Sequence, residues 1–150
     1  MIKIIIDTNI LIQGMIMGKE NASRKILNWA LAKDIVILGS NETYKEFCRK
    51  IENPKFKNYL KKQLFAPEKL ILDYKSIVSM NEPFEVLQGV SISRDPKDDI
   101  YLRVAKASGS RVIVTYDEDL LVLKNYDNII IVKPGDFLKS FQRTRLRKSS

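Results

Sequence analysis

The chain has no histidine and one cysteine, Cys48, in 150 residues. Without histidine, the usual zinc sites and every imidazole-based acid–base or nucleophilic mechanism are excluded. A lone cysteine cannot form an internal disulfide, which fits a reducing cytoplasm, and Cys48 is expected to pack on its helix. No apolar run approaches the roughly 20 residues of a membrane span. The first apolar stretch is short and stops at Asp7, unlike a secretory signal. A cytoplasmic protein without membrane association is expected. No Gly-x-x-x-x-Gly-Lys-[Ser/Thr] loop is present, which excludes a P-loop nucleotidase, and no Gly-x-Ser-x-Gly elbow, which excludes the corresponding hydrolases. Chemistry is left to carboxylates, hydroxyls, lysine and arginine.

What is present is a 45% hydrophobic, 29% charged chain with a formal net charge of +8. That is the composition of a single globular domain with a substantial core. A basic exterior around an acidic pocket suits an enzyme acting on a polyanion. Basic character also serves solubility alone.

Ile2-Lys3-Ile4-Ile5-Ile6 has the length and β-branching of a strand buried on both faces, and it ends on Asp7-Thr8-Asn9. The pattern then predicts a turn or helix over 10–17, a helix over 22–33 and a strand over 34–38. A helix capped by Ser40 follows through Ile51. Pro54 opens a basic amphipathic helix, and Pro67 another to about Met80. Residues 81–93 read as loop with room for a short strand. Asp95-Pro96 starts a helix that Gly109 ends. A strand over 111–115, a short helix over 119–124, a strand over 128–132 and a helix over 134–141 complete the chain. Alternating strands and helices predict an α/β fold with a parallel sheet covered on both faces. Residues 1–141 read as one domain with a helical insert at about 54–80, and 142–150 as a mobile basic tail.

Function in such sheets gathers beyond the carboxyl ends of strands. Asp7 stands at one such end, and Asp117 and Asp119 follow another. Asp95, Asp98 and Asp99 sit at a helix start, and Glu46 lies four residues after Glu42 on one helix face. Collected carboxylates repel unless a cation compensates, and hard oxygen ligands suit Mg²⁺ or Mn²⁺. Simpler roles compete. Asp95 can cap, Asp98 and Asp99 can favour the helix dipole, Asp117 and Asp119 can form a turn and cap, and Glu42 and Glu46 can pair with Lys45, Arg49 or Lys50. Thr8 and Thr115 are ordinary strand-end residues or hydroxyls that orient the aspartates. Asn9 bonds a carboxylate or caps the next turn. The coincidence of two strand-end aspartates favours a metal site.

Five segments in order carry a family resemblance: Ile6-Asp7-Thr8-Asn9-Ile10-Leu11, Ser40 to Phe47, Asn53-Pro54-Lys55-Phe56, Arg94 to Leu102, and Val114 to Leu121. Together they resemble the PIN domain family, in its branch of toxins from toxin–antitoxin systems. The resemblance implies a three-layer α/β/α sandwich with a central parallel sheet of Rossmann-like topology, and a Mg²⁺- or Mn²⁺-dependent ribonuclease site. It implies Asp7, Glu46, Asp99 and Asp117 as the catalytic and metal-binding acids, with Asp119 accessory and Asp99 chosen over Asp98. It also implies a homodimer and an antitoxin partner. Tyr116 stands where the family commonly has a small residue.

The expected activity is hydrolysis of single-stranded or looped RNA, by a metal-bound water attacking a metal-bound phosphate in line. Lys55, Lys57, Lys61 and Lys62, with Arg143, Arg145 and Arg147, are candidates for RNA backbone contacts. The alternative is a non-catalytic nucleic-acid-binding or assembly module on the same fold. Receiver and phosphatase domains also place aspartates at strand ends. The aspartyl phosphatases, however, need Asp-x-Asp where this chain has Asp7-Thr8-Asn9.

Overall fold

The computed structural model describes residues 1–17, 21–80 and 99–149. The elements are β1 (Ile2–Ile6), α1 (Thr8–Ile16), α2 (Ala22–Leu31), β2 (Ile35–Gly39), α3 (Asn41–Glu52), α4 (Pro54–Lys62), α5 (Pro67–Ile77) and β3 (Val78–Met80). After the undescribed stretch come α6 (Asp99–Ser108), β4 (Val112–Val114), α7 (Glu118–Leu121), β5 (Asn125–Tyr126), β6 (Ile129–Val132) and α8 (Pro134–Ser149). Asp95 and Asp98, and the loop expected over 81–93, lie outside the described residues.

The six strands order as β3-β2-β1-β4-β6-β5. Every pairing is parallel except that of β5 with β6. The central strands β1 and β2 are buried on both faces at their carboxyl ends, as parallel strands between helical layers must be, whereas Ile130 of β6 stays exposed. Along β1, Ile4 and Ile6 join the larger core and Ile5 the smaller. The larger core is completed by α1, α2, α3, α5 and the start of α8. The smaller one takes Tyr101, Leu102, Val104 and Ala105 of α6, with Leu120 of α7. Helices therefore cover both faces, in the expected α/β/α sandwich.

Three local expectations change. The helix foreseen to Met80 stops at Ile77, and Val78 pairs with Ile37 to extend the sheet. Val78, β-branched and set at the open edge of β2, is worth more in a strand than in a last helical turn. Gly39 permits this close approach, since a Cβ there would lie 2.7 Å from Val78 Cγ1. Asn125–Tyr126 forms a two-residue antiparallel edge strand that periodicity does not announce. The last helix does not end at Phe141. Phe141 and Phe137 pack on Trp29, and a mostly polar stretch rich in arginine carries the helix on to Ser149. Gly109 ends α6 at φ +74°, as anticipated.

Candidate active site

The strand order reverses between β1 and β4, the point where doubly wound sheets open a crevice beyond their strand ends. Asp7 leaves β1 and is tied across that boundary, its N–H donating to Val114 O at 3.0 Å. Its carboxylate has two tasks. Oδ1 accepts the Asn9 N–H at 3.0 Å and so caps α1. Oδ2 accepts the Thr115 hydroxyl at 2.8 Å. Thr115 is fully buried, and the same hydroxyl accepts the Asp117 N–H at 2.9 Å. Asp117 repeats the pattern, its Oδ1 accepting the Asp119 N–H at 2.9 Å to cap α7. One hydroxyl thus joins the two strand-end aspartates, and each aspartate also starts a helix. The capping role is observed for both aspartates, and it leaves further carboxylate lone pairs unused.

Asp7 is only 4% exposed, and no lysine or arginine among the described residues pairs with it. A buried carboxylate without a cation is costly. A buried carboxylate that two hydrogen bonds hold and no cation meets among the described residues, in an all-oxygen donor set, fits a hard divalent ion. Among the described residues, no three carboxylates or thiols gather closely enough to hold one by themselves. Asp99 opens α6, and its side chain lies outside the described part.

Glu46 is placed differently from the two aspartates. It is paired with Arg49 and lies 3.7 Å from Lys50 Nζ, the partners that solvation alone would choose. Lys50 Nζ in turn donates to Asn9 Oδ1 at 2.9 Å, so Glu46 reaches the β1 end through a lysine. Glu46 also lines a cavity of about 320 Å³ with Glu42 and Ile100, the residue after Asp99. Glu42 does not pair with Lys45, Arg49 or Lys50. Its carboxylate takes a forked bond from Arg103 of α6, at 2.8 and 3.3 Å. This pair braces α3, which carries Glu46, against α6, which begins with Asp99.

Tyr101 is the residue that sequence reasoning missed. Its hydroxyl donates to Thr8 Oγ1 at 2.8 Å and accepts the Thr8 N–H at 3.1 Å. Burial, then the neighbouring Asp7 charge, pushes this hydroxyl well above the usual tyrosine range, so it stays protonated as a donor. Thr8 therefore faces a tyrosine, and Thr115 is the threonine that orients an aspartate. The only sequence signal for Tyr101 was its place on the buried face just after Asp99. Lys55, Lys57, Lys61 and Lys62 are exposed on α4, whose N-terminus Asn53 caps. Arg143, Arg145 and Arg147 fall in the last turns of α8, and their side chains lie outside the described part.

Comparison with known structures finds this fold in VapBC2 from Rickettsia felis bound to a DNA fragment from their promoter. The TM-score is 0.56 at 16% identity, over 87% of this chain and 97% of that one. FitAcB from Neisseria gonorrhoeae aligns at a TM-score of 0.49 and 18% identity, over 87% of this chain and 97% of that one. No match was found among curated proteins. The PIN domain family model matches residues 3–119, a span running from β1 through the Thr115–Asp119 turn. With both strand-end aspartates inside that match, the chain belongs to the PIN domain family.

Proposed function

We propose that this protein is a divalent-metal-dependent ribonuclease that cuts single-stranded or looped RNA, as the toxin of a toxin–antitoxin pair. One observation carries the reading: the buried Asp7 carboxylate, paired with no cation among the described residues, is held by Thr115 and through it linked to Asp117 at the switch point of the sheet. PIN domains are generally nucleases, and the net charge of +8 favours a polyanionic substrate. The likeness of the fold to VapBC2 supports an antitoxin partner.

Asp7 and Asp117 would hold Mg²⁺ or Mn²⁺, with Asp99, Glu46 and Asp119 completing the set. The bound ion supplies a Lewis acid that activates water and neutralises charge on the phosphate. The chain's own residues prepare that site. Thr115 fixes the Asp7 carboxylate, leaving its remaining lone pairs for a cation. Tyr101 pins Thr8 and with it the turn after β1. The Arg103–Glu42 pair sets the spacing of the helices that bear Asp99 and Glu46. Lysines of α4 bind phosphates and make RNA affinity fall with salt.

A non-catalytic binding module is the second reading, favoured by the ion pairs that occupy Glu46. Cleavage of RNA by the pure protein in Mn²⁺ or Mg²⁺, abolished by EDTA and by Asp7→Asn, supports the nuclease. Equal cleavage by wild type and Asp7→Asn would overturn this site. RNA binding without cleavage in either metal would support the module.

A further inference from the structure

A groove of about 470 Å³ opens beside the acidic site, between α1, α3 and α4. Ile12 and Ile16 of α1 form part of its lining, and Phe56 and Tyr59 of α4 face it as well. These two rings are stacked, with centroids 6.0 Å apart and planes 27° apart, and Tyr59 is 46% exposed. Asn9 and Lys50, joined by their 2.9 Å bond, belong both to this groove and to the approach to Asp7. Asn9 lies two residues from Asp7, so their Cα atoms are at most about 7.6 Å apart. One end of the groove, at Asn9, is therefore near the proposed cleavage site.

We infer that this groove is a base-binding subsite for a nucleotide flanking the scissile phosphate of single-stranded RNA. The inference rests on the reading above for its substrate and adds where a base is held. Its volume lies in the range of small-ligand sites and accommodates a base with its ribose. The exposed ring of Tyr59, backed by the half-buried Phe56, offers a π-face to any unpaired base, the usual platform for single strands. The amide of Asn9 can meet a base edge, and the ammonium of Lys50 an adjoining phosphate. Charge complementarity favours a nucleic acid over a polypeptide. Lys50 lines the groove itself, and Lys55 and Lys62 lie on the Tyr59 side of α4 by helical spacing, with Lys57 and Lys61 on its other side; none of these four α4 lysines forms an ion pair among the described residues. The aromatic pair makes the affinity depend on the base, and the lysines make it depend on charge. These contributions separate experimentally.

The test measures binding of a fluorescent RNA octamer and of an abasic ribose–phosphate octamer of equal charge, in EDTA so that nothing is cleaved. Wild type is expected to bind the base-bearing octamer at least fivefold more tightly. Tyr59→Leu, and Phe56→Leu with it, should remove that preference and leave the weaker, salt-dependent backbone binding unchanged. Replacing the four lysines by glutamine should weaken both octamers alike. Phe56 also touches the core, so if the double variant unfolds, the Tyr59→Leu comparison alone decides. No base preference in wild type, or a preference that survives Tyr59→Leu, overturns the subsite and leaves the groove to a polypeptide. Binding in EDTA is independent of turnover. Loss of the subsite with Mn²⁺-dependent cleavage intact refutes only this inference, and absence of cleavage with the base preference intact refutes only the nuclease.

Discussion

Thr115→Val keeps the shape of a fully buried side chain and deletes one hydroxyl. That hydroxyl donates to the Asp7 carboxylate at 2.8 Å and accepts the Asp117 N–H at 2.9 Å. A hydrogen bond to a charged group contributes about 1.5–3 kcal/mol, and a neutral one about 0.5–1.5 kcal/mol. The Asp117 N–H is only partly buried, so water recovers part of the second bond. The expected loss of stability is about 2–4 kcal/mol, or roughly 5–12 °C in Tm for a domain of this size. Cleavage should fall by about 10- to 100-fold, the usual cost of removing a partner that orients a metal ligand. Thr115→Ser is the control. It keeps both bonds and loses one methyl, costing about 1 kcal/mol with cleavage near wild type. Urea denaturation and RNA cleavage in Mn²⁺ read both quantities. If Thr115→Val unfolds within 0.5 kcal/mol of wild type, by the rough limit for neutral changes, and cleaves RNA as fast, the bridging hydroxyl is not what organises this site.

Asp7→Asn retains an oxygen to cap α1, so cleavage should vanish while stability stays within about 1 kcal/mol; Asp7→Ala should lose cleavage and a further ~1–2 kcal/mol, because the cap disappears and the Thr115 hydroxyl is stranded. Equal stability of the two variants would refute the capping role. Burial pushes the Tyr74 hydroxyl up to about 12 and holds that of Tyr101 higher still. Above pH 10 the unfolded chain sheds these protons while the folded chain keeps them, so stability is full below pH 10. It should then fall by about 1.4 kcal/mol per pH unit for each tyrosine. Urea titrations at pH 9, 10 and 11 check this, and Tyr74→Phe should flatten the slope. Gly39→Ala should cost about 1–3 kcal/mol, since its Cβ would lie 2.7 Å from Val78 Cγ1 and 3.0 Å from the Tyr74 hydroxyl. A wild-type Tm for this variant would show that β3 shifts freely.

The sequence by itself determined the layers and the ends of the principal strands. A five-residue isoleucine-rich run in an α/β domain reads as a strand covered on both faces, and a carboxylate after it marks where the strand ends. Asp7 and Asp117 were therefore legible as strand-end acids, Ser40 lay where a cap belongs, Pro54 where a helix starts, and Gly109 where one must stop. Tertiary structure decided the rest, because the deciding contacts join distant positions. Tyr101 meets Thr8 across 93 residues, Arg103 meets Glu42 across 61, and Lys50 meets Asn9 across 41. No local period encodes such pairs. Val78–Met80 became a strand only because β2 presented an open edge, a gain that local propensity cannot register. Glu46 is the local case: its partners Arg49 and Lys50 lie three and four residues along α3, a spacing legible in the sequence, whereas the Lys50–Asn9 bond that ties it to the end of β1 is tertiary.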